Sequence, residues 1–324
     1  MGNKTVRRLL QCAAPLAFFV IAAGAYTRLS DAGLGCPDWP GCYGQVVGVP
    51  SAAAAAAHSP HAPLDARKAR IELGHRYVAG VLGLILFAAA GLSWRQTPRP
   101  RAPLFLAALV IAQALLGMLT VTQGLRPIIV VAHLLGGALI LAALAFTLTA
   151  RPLPRAPPRL LRVLAAAAAA ALAVQIFLGG WVSANYAALS CPDFPLCRGG
   201  WLPPQTDWSG FAPGRELYLD ATGAAVSDAA LATIHWTHRA FAPVALILLF
   251  AFGAVLWREK ARGAAVLLWI LPAAQAVLGA VNVLAGLPIW SALAHNAVAV
   301  LIAATIGMMF AKINLSGAPR PSRP

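Results

Sequence analysis

"CPDWPGC" (36–42) and "CPDFPLC" (191–197) are two copies of one cysteine loop, 155 residues apart in a chain of 324. Working outward from them aligns the two halves of the chain. "ELGHRYVAG" (72–80) matches "HWTHRAFAP" (235–243) at an offset of 163. "QALLGMLTVTQGL" (113–125) matches "QAVLGAVNVLAGL" (275–287) at 162, and His133 in "VVAHLLGGALI" matches His295 in "SALAHNAVAVL" at the same offset. The largest step in offset falls in a loop, where insertions are tolerated. The chain reads as a duplication.

Both halves are strongly apolar. The chain is 60% hydrophobic and 11% charged, against about 25% charged residues in a soluble domain, which excludes an ordinary soluble fold. About 20 residues cross a bilayer as helix. Eight apolar runs reach that length, near 10–28, 72–94, 103–122, 130–150, 160–184, 233–257, 264–285 and 290–311. The expected fold is all-α and integral to the membrane, with eight transmembrane helices in two pseudo-symmetric four-helix bundles. Each unit has an even number of spans, so both enter the membrane in one direction, as parallel repeats. The N-terminal half is 1–150, the C-terminal half 160–324, and the Arg/Pro-rich linker 151–159. Residues 1–26 have the basic start and apolar run of a signal peptide. Their match to the fifth span makes them a retained first helix instead.

The net charge of +15 raises nucleic-acid binding, and its distribution answers the question. Lys4, Arg7, Arg8, Arg95, Arg99, Arg101, Arg151, Arg155, Arg159, Arg162, Arg258, Lys260, Arg262, Lys312, Arg320 and Arg323 all fall in the tails or in the connections of one side, with Glu259 the one acid among them. The other side carries nine basic and nine acidic residues. This is the positive-inside signature. It replaces nucleic acid with the lipid bilayer as partner, and it puts both termini in the cytoplasm. The long loops near 30–71 and 186–232 then lie outside, in the periplasm of a bacterial inner membrane, where disulfides persist. Four of the five cysteines lie in them; Cys12 sits in the first span as a small buried residue. "SAAAAAAHSPHAP" (51–63), with His58 and His61, reads as a flexible part of the first loop.

His75, His133, His235, His238 and His295 fall within spans, near their outer ends. An ionisable residue at membrane depth is a functional candidate, against the plainer role of hydrogen-bonding a neighbouring helix. The second and fourth spans of each half carry a histidine at corresponding positions. Antiparallel neighbours place two such residues at one depth, so His75 with His133, and His238 with His295, can ligate a haem iron from both sides. Arg76 and Arg239 follow two of these histidines and suit haem propionates, or simply the interface. Glu72 lies on the helix face of His75, where its repeat partner is His235. A carboxyl there suits proton handling, or a helix start. The asymmetry points to chemistry in one half and electron carriage in the other.

These residues together resemble the haem A synthase family over nearly the whole chain. The carriers are eight spans in two halves, "ELGHR" with Glu72 and His75, His133, "HWTHR" with His238, His295, and the C-x5-C pair of the first external loop. The resemblance implies oxidation of the C8 methyl of haem O to a formyl group, giving haem A for terminal oxidases. It implies resident haem b on His238 and His295, substrate haem O at His75 and His133, and an essential acid at Glu72. It also implies association with a haem O synthase, beside an electron donor that the sequence does not identify. Two fixed histidines leave no free position on iron, so His75 or His133 is expected to be a labile ligand. The rival reading is a di-haem cytochrome b electron carrier; a transporter built from internal repeats is a second. For the cysteines, the spacing is not C-x-x-C. A disulfide within each loop, Cys36–Cys42 and Cys191–Cys197, is expected to make a rigid lid over each outer end, with zinc held by four thiolates as the alternative. Trp39 and Phe194 match in the repeat and suit a haem edge or the interface.

Overall fold

The computed structural model describes residues 4–96, 101–153, 156–220 and 222–317. Arg99, Arg155, Arg320 and Arg323, and the middle of the linker, lie outside the described residues. Among those described there are nine α-helices: α1 Lys4–Leu29, α2 Ala52–His58, α3 Ala66–Gln96, α4 Arg101–Thr122, α5 Pro127–Leu148, α6 Arg159–Ala184, α7 Asp228–Arg258, α8 Arg262–Leu284 and α9 Ile289–Gly317. All except α2 are long and apolar enough to cross a membrane, so the chain is a multi-pass membrane protein.

The termini of these helices follow local chemistry. Pro127 opens α5 at a position where its missing N–H costs nothing. Ser227 caps α7 by accepting from the Ala230 N–H at 3.0 Å. The helices α3 and α7, each 31 residues, exceed the roughly 20 that a bilayer needs, and their extra turns meet the cysteine loops. Pro243 lies inside α7, and Cys12 is exposed on α1, not buried. The alanine run of 51–63 is also not flexible loop. Ser51 accepts from the Ala54 N–H at 3.3 Å and starts α2, and Ala55 is buried with Cys36, Cys42 and Tyr43. Alanine has the best helix propensity, and this tertiary contact gives the short helix a surface to bury against.

In the N-terminal half α1 packs on α3 and α5, and α4 packs on the same two helices. In the C-terminal half α6 packs on α7 and α9, and α8 on the same two. The halves meet chiefly where α5 lies against α9. There Gly307 of α9 faces the backbone of α5, and a Cβ on it would overlap the Ala142 carbonyl. Small residues permit such close helix approach in a bilayer, where packing drives association. Gly307→Ala is therefore expected to destabilise the protein by about 1–3 kcal/mol, read as a lower thermal unfolding temperature in detergent.

At one end a polar clasp joins α1 to α6. Arg28 donates to the Ser183 carbonyl at 2.5 Å, and its guanidinium stacks 3.6 Å from the Tyr186 ring centre. Tyr186 donates to Asp31 at 2.6 Å, and Lys68 bonds the other Asp31 oxygen at 2.7 Å. The bonds from Lys68 and Tyr186 hold the Asp31 carboxyl below its ordinary range. The stabilisation this gives is present above the ordinary carboxylate pKa and is lost as pH falls through the lowered value.

Candidate functional site

The two cysteine loops are one structure built twice. Cys36 and Cys42 form a disulfide, as do Cys191 and Cys197, so the sulfurs are not gathered as zinc ligands. Inside the first ring Asp38 accepts from the Tyr43 and Gly44 N–H groups at 2.6 and 2.7 Å. Inside the second Asp193 accepts from Arg198 and Gly199 at 2.6 and 2.8 Å. The Cys42 N–H donates to the Gln45 carbonyl and the Cys197 N–H to the Gly200 carbonyl, both at 2.7 Å. The aspartate of CPDxPxC thus folds the turn, for which reason the motif needs it.

Each ring is tied to the long helix beneath it by two side chains. Glu72 Oε2 accepts from the Cys36 N–H at 2.8 Å, while its Oε1 pairs with Arg76 at 2.5 Å. In the second half His235 Nδ1 accepts from the Cys191 N–H at 3.2 Å. Glu72 and His235 therefore share a structural task that their different chemistry hides in the sequence. Arg76 donates to the carbonyls of Asp38, at 2.9 Å, Pro40 and Gly41. Arg239 donates to those of Cys191, Asp193 and Leu196, at 3.3, 2.8 and 2.6 Å. Both guanidiniums hold the ring; pairing with propionates would be a second task. Phe194 lies under Arg239, 5.2 Å from the guanidinium, and Trp39 and Phe194 are both largely exposed at the rims.

Below the rings lie the four paired histidines. His238 and His295 face each other with ring centres 6.5 Å apart and planes at 76°. His75 and His133 are electrostatic neighbours in the other half. The Nδ1 atoms of His75, His133 and His295 are buried without a hydrogen-bond partner. The rings themselves are only half-buried, and no Nε2 is among the buried unpartnered atoms. His238 Nδ1 lies 3.2 Å from Gln175 Nε2. A buried imidazole with an unpartnered nitrogen is chemically suited to ligate iron.

A feature unread in the sequence places these rings. Each histidine lies against a glycine of the preceding span: His75 on Gly24, His133 on Gly117, His238 on Gly179 and His295 on Gly279. A Cβ there would stand 3.0, 3.4, 2.9 and 3.3 Å from the facing Cε1. Gly179→Ala is therefore expected to push the His238 ring from its place and to lower the thermal unfolding temperature in detergent.

Eight spans with buried histidines on α3, α5, α7 and α9, beneath two disulfide rings, define a polytopic membrane protein of helical bundles. Residues 7–306 match the family described as cytochrome oxidase assembly protein, COX15-CtaA. A haem A synthase of Shewanella oneidensis is 39% identical over 311 residues, covering 92% of this chain and 93% of the relative. Those of Methylobacterium sp. (strain 4-46) and Methylorubrum extorquens are 32% and 30% identical, covering 92% and 100% of this chain and 89% and 90% of theirs. The chain belongs to this family of haem A synthases.

Proposed function

We propose that the protein converts haem O to haem A by oxidising the C8 methyl group to a formyl group. The observation that carries the proposal is the set of buried histidines beneath the disulfide rings, with His238 facing His295 and unpartnered Nδ1 atoms on His75, His133 and His295, in a chain of this family. The N-terminal half, 1–150, takes haem O as substrate at His75 and His133. The C-terminal half, 160–324, holds a resident haem b on His238 and His295, which supplies one-electron chemistry when bound. The 151–159 linker joins the halves on the cytoplasmic side of the bacterial inner membrane, and the disulfide rings face the periplasm.

The residues of the chain then have separate tasks. His133 and His75 orient the substrate macrocycle. Glu72, one turn from His75, holds or passes protons beside the methyl carbon as it is oxidised. Arg76 and Arg239 fix the rings and present positive charge where propionates would lie. The rings cap the outer ends and keep water from the reacting edge. Partners are the lipid bilayer, an electron donor and a haem O synthase that supplies a substrate too apolar to travel through water.

The test uses a host that makes haem O and lacks haem A. Expression of this chain should yield an extractable porphyrin with the mass and spectrum of a formyl haem. Bound haem without that product would instead identify a di-haem electron carrier.

A further inference from the structure

The chain leaves both disulfide rings in the same way. Antiparallel bridges from Cys42 to Gln45 and from Cys197 to Gly200 close the two turns. The next two residues, Val46–Val47 and Trp201–Leu202, stand at matched positions after the second cysteine of each ring. All four are apolar and outward: Val46 is 66% exposed, Val47 81%, Trp201 75% and Leu202 60%. Single exposed apolar residues are ordinary. A pair repeated at one place in two related loops marks an interaction surface.

Each pair is also pinned to the helix beneath it. The Tyr77 hydroxyl of α3 donates to the Val46 carbonyl at 3.1 Å and accepts from the Gly48 N–H at 2.9 Å, so it holds both sides of Val47. In the second half the Trp236 indole N–H of α7 donates to the Trp201 carbonyl at 2.8 Å. The two pins are not repeat partners. At the offset of 163, Tyr77 matches Ala240 and Trp236 matches Leu73. Different aromatic side chains thus reach one backbone position in the two loops.

The depth of the pins says what the pairs meet. Tyr77 heads a row of exposed residues on α3, with Val81 and Leu84 at i+4 and i+7. Trp236 heads the row of Ala240, Val244 and Ile247 on α7. An exposed apolar row on a spanning helix is its lipid face, since acyl chains are as apolar as leucine. Counting about 20 residues from the Arg95 and Arg258 ends of α3 and α7 puts the far boundary of the hydrocarbon near residues 75 and 238. Tyr77 and Trp236 both lie within one turn of it. Tyrosine and tryptophan, apolar bodies with one polar tip, collect at that level.

We propose that Val46–Val47 and Trp201–Leu202 are two lipid-inserting tips that seat the disulfide rings on the acyl–headgroup boundary of the bilayer. Each tip continues the lipid face of the helix that pins it. Insertion takes its apolar surface out of water, and the aromatic hydrogen bond keeps the Val46 or Trp201 carbonyl satisfied where water is scarce. With one tip in each half, both rings are held at a set height over the histidines. The proposal does not depend on what the histidines bind.

The test uses the full-length protein, labelled with fluorotryptophan, in phosphatidylcholine nanodiscs. Fluorine NMR reads Trp201, assigned by the loss of its resonance in Trp201→Phe, and Val47→Trp adds a resonance at the first tip. Each is measured with a nitroxide carried at the top of the lipid acyl chain, and separately with a water-soluble gadolinium chelate. The nitroxide should broaden both resonances several-fold more than the chelate does. A tip broadened by the chelate as much as by the nitroxide, or more, stands in water and overturns the proposal. A tip that neither reagent broadens is covered by protein, such as a second copy of the chain, and overturns it equally. If Val47→Trp fails to fold, Trp201 of the otherwise unchanged protein decides alone.

Discussion

Glu72→His is expected to keep the first disulfide ring docked and haem bound while haem A output falls about 10²- to 10⁴-fold, the usual contribution of a positioned proton-transfer group. The substitution copies what the second half already does. There His235 accepts the cysteine N–H at 3.2 Å in the place where Glu72 accepts it at 2.8 Å. A histidine at 72 can keep the anchor; it loses the carboxyl and with it the pair to Arg76. Glu72→Ala is a weaker experiment, because it removes anchor and acid together and a loss of product could mean an undocked ring. Extracted pigments from Glu72→His should contain haem O, or the alcohol, in place of the aldehyde. Normal haem A output from this variant would make Glu72 a structural anchor with no part in the chemistry.

Arg76→Leu is expected to be the most destabilising single change in the outer region, at about 3–5 kcal/mol. The Arg76 and Glu72 side chains retain 13% and 5% exposure and pair at 2.5 Å, so the leucine leaves a carboxylate buried without its counter-charge. It also leaves three ring carbonyls short of a donor. Arg239→Leu removes the equivalent carbonyl contacts, but the residue at the matched position is His235 and no buried carboxylate is stranded. Its cost should be smaller, about 1–3 kcal/mol. Thermal unfolding in detergent should therefore separate the two variants. Equal destabilisation would show that the ion pair adds nothing beyond the carbonyl contacts.

The eight spans and the two cysteine loops were legible because hydropathy and a recurring motif do not depend on tertiary contacts. The facing of His238 and His295 followed from the same offsets. What escaped was set by contacts between elements. The alanine run around 52–58 has no hydrophobic periodicity, and its helix becomes visible only with Ser51 as cap and Ala55 against the first ring. Glu72 and His235 align, yet nothing in a carboxylate and an imidazole announces that both accept the N–H of a cysteine some 40 residues away. Arg76 and Arg239 were read toward propionates because ring carbonyls carry no sequence signal. The glycines at 24, 117, 179 and 279 were present in the sequence. They acquired meaning only when the imidazole facing each was known.

The division of labour between the halves is tested most directly by comparing two double variants in the host that makes haem O. His75→Ala with His133→Ala should retain the resident haem b in the purified protein and make no haem A. His238→Ala with His295→Ala should lose that haem. Haem b retained by the second variant and lost by the first would reverse the assignment and contradict the account.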